Sequence, residues 1–122
     1  MAISISWYIP DRVVLYKVIG AMDANDVGEM ERVMTSNMPV AGRAIHQMID
    51  ITDMTRPPTI GVLRQYARPA SHDDGYFVVI GKVNRMSEFV ITTLAQITNF
   101  RVIIVSSLEE AITKLRHQDH TL

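Results

Sequence analysis

The chain has 122 residues, 48% hydrophobic and 20% charged, enough for one domain with a core and too little for two. Its net charge of −1, from 12 basic and 13 acidic side chains, argues against a broad electrostatic surface for nucleic acid or anionic membrane. Without cysteine, a disulfide scaffold and a thiolate zinc site are both excluded.

Ile3, Ser4, Ile5, Ser6, Trp7, Tyr8 and Ile9 alternate in the period of a half-buried strand. Pro10 and Asp11 punctuate it, and the β-branched stretch 12–19 follows, so the two predict an antiparallel hairpin. Asp23 is a helix cap, with Asp26 and Glu29 near the positive end of the helix dipole. Val27, Met30, Met34 and Met38 recur at spacings of three and four, predicting a helix over 24–37 that Pro39 ends. Residues 44–51 form the next predicted strand. Pro57 and Pro58 suit the start of a helix, and Ile60, Leu63, Tyr66 and Ala67 carry its period to Pro69.

A polar loop over 70–75 leads into the apolar run 76–80, which reads as a strand covered on both faces. Met86, Phe89, Val90, Leu94 and Ile97 fit a further helix, and 102–105 a second covered strand. Ser107 and Glu110 stand in capping-box spacing before a last helix whose apolar face is Leu108, Ala111, Ile112 and Leu115. The tail 117–122 is expected to fray. The order β-β-α-β-α-β-α-β-α predicts a single α/β domain, 1–122, with a mixed sheet of about five strands. The apolar runs are too short to span a bilayer and no secretory leader is visible, so a cytoplasmic location is the default expectation.

Catalytic and cofactor motifs do not assemble. Gly75, Gly81, Lys82 and Val83 mimic a phosphate-binding loop, but the glycine spacing is one residue too long and valine replaces the hydroxyl residue. His46 alternates within a strand as a packed or interface residue. His117 and His120 lack a third metal ligand, and contiguous Ser71, His72 and Asp73 are a solvated loop, not a converging triad. No metal and no cofactor is expected. Asp50, Asp53 and Thr55 lie where a strand hands over to a loop, the edge at which open α/β sheets take ligands; caps and turns use the same residue types. The first helix carries Asp23, Asp26, Glu29 and Glu31 against Arg32, and the second-helix region Arg56, Arg64 and Arg68 without an acid. Either face could dock a charged partner. Trp7 and Tyr8 fall on an expected edge strand, which suggests a homodimer unless Trp7 packs inward.

Three passages resemble the STAS family of sulphate transporters and anti-sigma-factor antagonists, over about residues 12–115. They are the strand and glycine before the first helix (Val18, Ile19, Gly20, Ala21, Met22, Asp23), the central strand (Met48, Ile49, Asp50, Ile51, Thr52, Asp53) with the helix start at Thr59, Ile60 and Gly61, and the closing stretch 100–115. The resemblance implies a non-enzymatic switch protein that binds a protein partner and is phosphorylated at the start of the second helix. With the motif glycine on Gly61, Ile60 occupies the usual phosphoacceptor position, and Thr59, one residue earlier, is the candidate phosphoacceptor. That departure also resembles the broader relatives akin to lipid-binding SEC14 domains. The leading expectation is a regulatory interaction module, with Asp50, Asp53, Thr55, Arg56 and Arg64 as candidate contacts. The alternative is a small-ligand or lipid carrier using a pocket at the end of the central strand.

Overall fold

A computed structural model describes residues 2–41, 44–66 and 74–122. The elements are β1 (Ile3–Ile9), β2 (Val13–Ala21), α1 (Ala24–Ala41), β3 (Ile45–Arg56), α2 (Ile60–Tyr66), β4 (Asp74–Ile80), α3 (Arg85–Thr98), β5 (Arg101–Val105) and α4 (Leu108–Gln118). They form the expected mixed sheet, in spatial order β1-β2-β3-β4-β5. Only β1 runs antiparallel to its neighbour; β2 to β5 are parallel. Expected positions Met38, Met86, Val90, Leu94 and Ile97 lie outside the described side chains, and Ala67, Arg68, Pro69, Ala70, Ser71, His72 and Asp73 outside the described residues.

Because the strand order never reverses, crossovers of one hand put their helices on one face of the sheet. Alternating strand residues accordingly feed two cores. Val14, Tyr16, Val18, Ile45, Ile49 and Val79 meet Val27 and Met34 of α1, with α2 and α3 beside them. Val13, Met48, Val78, Ile80 and Val105 meet Ala111, Ile112 and Leu115 of α4.

Several boundaries differ from the sequence reading. Helix α1 continues past Pro39 to Ala41. Proline's fixed φ is itself helical and only the last residues of α1 lie beyond Pro39, so little of the helix is interrupted. Strand β3 runs five residues beyond Ile51, because register shifts between Lys17 and Ile19, and again between Gly20 and Ala21, let its polar end stay paired with β2. Helix α2 starts after the two prolines, with Thr59 Oγ1 accepting the Val62 N–H at 3.3 Å. Phe89 is 68% exposed, because Ser87, Ile91 and Ala95 occupy the inward stripe of α3.

The caps behave largely as read. Asp23 Oδ1 accepts the Asp26 N–H at 3.1 Å, and Asp26 Oδ2 accepts the Asp23 N–H at 2.9 Å. The bond from the Asp26 N–H is the main cause holding the Asp23 carboxyl below its usual range. Ser107 caps α4 through the Glu110 N–H, while the Glu110 carboxylate reaches one residue further back than expected, to the N–H and hydroxyl of Ser106. The tail is tied down, contrary to the fraying expected from its position. Helix α4 continues to Gln118, and Asp119 and Thr121 then bond to the side chain of Arg12.

Candidate functional site

The α1–α3 face holds a cavity of 710 Å³. It exists because α2 is only seven residues long and buries none of them. Ile60, Leu63 and Tyr66, at helical spacing, face the cavity, and Leu63 and Tyr66 pack against the core while remaining only partly buried. The Tyr66 ring bears on α1, where a Cβ at Gly28 would come within 3.1 Å of its hydroxyl. Glycine at 28 thus lets the Tyr66 ring lie close against α1.

Strand β3 forms the cavity's floor through Gln47, Ile49, Ile51, Met54 and Arg56. Phe77 and Val79 of β4 and Val102 of β5 widen it, and Ile91 and Ala95 of α3 form the far wall. Gln47 is 7% exposed, and its Oε1 accepts the Tyr16 hydroxyl proton at 2.9 Å. Glu31 of α1, Tyr66 of α2 and Ser87 of α3 are also in the lining, and three further polar groups stand at element ends: Arg56 closes β3, Thr59 caps α2, and Asn84 caps α3 by accepting the Ser87 N–H at 2.8 Å. All three lie at the carboxyl end of the parallel strands.

Of the residues singled out from sequence, Arg56 and Thr59 line the cavity. Asp50, Asp53, Thr55 and Arg64 are not among its described lining. Asp50 shares the α4 side of the sheet with Met48, and its Oδ1 accepts from the Thr52 N–H at 3.0 Å and the Thr52 hydroxyl at 2.6 Å. Asp53 pairs with Ile19 and is exposed. Thr55 is exposed at the bulge and Arg64 on the outside of α2. The structure therefore does not bring the two carboxylates and the arginines together. Gln47 and Asn84 carry no mark in the sequence reading, and Tyr66 and Phe77 read there only as ordinary helix and strand residues. The one available signal was Gln47, a polar residue on the core-facing side of a strand between Ile45 and Ile49.

On the opposite face, His46 is a packed residue. Its Nδ1 accepts the Tyr76 N–H at 2.9 Å and its Nε2 lies 2.8 Å from Asp119 Oδ2. Among the described residues no group of three or more His, Asp or Glu could hold a metal. No described helix is long and apolar enough to cross a membrane.

No family model and no curated protein matches the chain. Solved structures do. A protein of Shewanella loihica PV-4 described as having a SpoIIAA-like fold aligns over 93% of this chain and 92% of its own, at 16% identity and a TM-score of 0.62. The chain has a SpoIIAA-like fold. The Bacillus cell fate determinant SpoIIAA, in its phosphorylated form, aligns over 94% of this chain and 100% of its own, at 12% identity and a TM-score of 0.62. An anti-sigma factor antagonist from Mycobacterium paratuberculosis covers 93% of this chain and 94% of its own, at 20% identity and a TM-score of 0.57. At these identities the likeness is one of fold. This SpoIIAA-like chain differs from the expectation for its site in one respect: the pocket lies under α2 along β3, and not beside the carboxylates of the β3 bulge.

Proposed function

We propose that this SpoIIAA-like chain is a non-enzymatic regulatory module that binds a protein partner through α1, α2 and the connection at residues 57–59. The observation carrying the proposal is α2 itself, a helix with none of its residues buried and with Arg64 on its outer side. An amphipathic element so loosely committed to its own core is suited to meeting another protein. The fold shared with two proteins described as anti-sigma factor antagonist or cell fate determinant supports a regulatory role. Thr59 is the proposed switch residue: it is exposed, and a phosphate on its Oγ1 would add close to two negative charges at the acceptor that now caps α2.

The contact is tested by placing a photo-crosslinking residue at Arg64, or at Lys114 on α4 as a control, in the cells that make the protein. A partner captured from position 64 and not from 114 supports the reading. Equal capture from both, or none, overturns it, as would substrate turnover abolished by Asp50→Ala in a folded protein. Mass spectrometry that finds Thr59 unmodified under all growth conditions would remove the switch but leave the module. The edge of β1, with Trp7 36% and Tyr8 43% exposed, is the proposed contact between two copies. Light scattering that stays monomeric at high concentration would dismiss it.

A further inference from the structure

We propose that the cavity beneath α2 binds a single-chain amphiphile with an anionic head, its chain along β3 and its head at Arg56. The lining has the required order of chemistry. From Ile49 through Ile51 to Met54 the floor is apolar, and Leu63 of α2 and Ile91 of α3 face it. The cavity's 710 Å³ suits a small molecule, for which sites of about 300–1,000 Å³ are usual. The floor follows β3 from Gln47 to Arg56, an elongated course that favours an extended ligand over a compact one.

Two polar groups fix the ligand's orientation. Arg56 is exposed at the carboxyl end of β3 and makes no ion pair among the described residues. Its planar guanidinium matches a carboxylate or phosphate, and a charged head stays near water there. The acid in the described lining, Glu31, belongs to α1 and accepts from the Thr35 hydroxyl at 3.4 Å. At the other end, Gln47 is more than nine-tenths buried and gives its oxygen to Tyr16, while its amide nitrogen makes no hydrogen bond among the described residues. An amide N–H₂ without a bond on a cavity floor can take an acceptor there. An oxygen near the far end of the chain supplies it.

Fluorescence displacement titrations with palmitate, 1-hexadecanol and 16-hydroxypalmitate test the assignment. Palmitate should bind saturably at one site, and each methylene removed from it should weaken binding about fourfold. Arg56→Gln should weaken palmitate by about tenfold or more and leave hexadecanol unchanged. The terminal hydroxyl of 16-hydroxypalmitate should improve binding, and Gln47→Met should erase that gain. Ala95→Phe, which puts a ring into the cavity from α3, should abolish binding of all three while the thermal melt persists. Non-saturable uptake overturns the proposal. So does palmitate binding that survives Ala95→Phe, or an equal loss of acid and alcohol in Arg56→Gln. If Gln47→Met does not fold, the other two variants decide. Crosslinking at position 64 is a separate readout, so this site and the partner surface can fail independently.

Discussion

Asp119 and His46, 73 positions apart, meet at 2.8 Å between Oδ2 and Nε2. The same carboxylate oxygen receives the Arg12 guanidinium at 2.8 Å, and Oδ1 receives the N–H and hydroxyl of Thr121. The end of the chain is thereby fastened to the starts of β2 and β3. Since the Nδ1 of His46 is occupied as an acceptor for the Tyr76 N–H, Nε2 carries the proton that Asp119 accepts.

Asp119→Ala should therefore act on stability. It leaves a buried imidazole without its acceptor and a largely buried guanidinium without its counter-charge, with Thr121 Oγ1 and the Ala44 carbonyl as remaining acceptors for Arg12. The expected loss is about 2–3 kcal/mol, below that of a fully buried pair because Asp119 retains some solvent contact. Urea denaturation gives the value. A change of under about 0.5 kcal/mol would mean that the clamp contributes nothing.

The clamp also predicts acid lability. Burial opposes ionisation of Asp119, but the bonds from Thr121 and His46 and the charge of Arg12 outweigh it, holding the carboxyl well below the usual carboxylate range. A folded-state value below the unfolded one stabilises fully above about pH 4–5 and is lost as pH falls toward the folded value. The difference in melting temperature between the native chain and Asp119→Asn should be constant from neutral pH to about pH 5 and shrink below about pH 4. A difference independent of pH down to acid unfolding would contradict the assignment.

Gly75 is required by that same histidine. A Cβ there would lie 2.3 Å from His46 Nδ1 and 2.8 Å from the Ile45 carbonyl oxygen. Gly75→Ala should cost about 2 kcal/mol or more, through displacement of the imidazole or of β4. In a His46→Ala background the penalty should fall but not vanish, since the backbone contact remains. Thermal melts of the four proteins in that cycle measure it.

The start of α3 offers a milder test beside the cavity. Asn84 Oδ1 accepts the Ser87 N–H at 2.8 Å, so Asn84→Ala should cost about 1 kcal/mol and Asn84→Asp very little. Equal losses in the two variants would mean that the side chain matters for something other than the cap. Chemical denaturation resolves a difference of this size.

The sequence by itself determined the order and kind of the elements. Period-two alternation over Ile3–Ile9, the methionine spacing in α1, the covered run of β4 and the Ser107 cap are local patterns, each set by residues within one or two turns of each other, whereas β5, expected to be covered on both faces, is an edge strand with Ile104 exposed. The strands expected at 44–51, 76–80 and 102–105 do lie side by side, since parallel strands joined by short crossovers have few other arrangements. What only the tertiary structure decided depends on residues far apart in the chain. The polar end of β3 reads as a loop until β2 supplies its hydrogen bonds. The tail reads as frayed until Arg12 and His46 supply partners for Asp119. The cavity is a relation between α2 and strands whose side chains, Ile49, Phe77 and Leu63 among them, look like ordinary core. Whether such residues fill a core or line a pocket is fixed by how far a short helix stands from the sheet, and no local pattern encodes that distance.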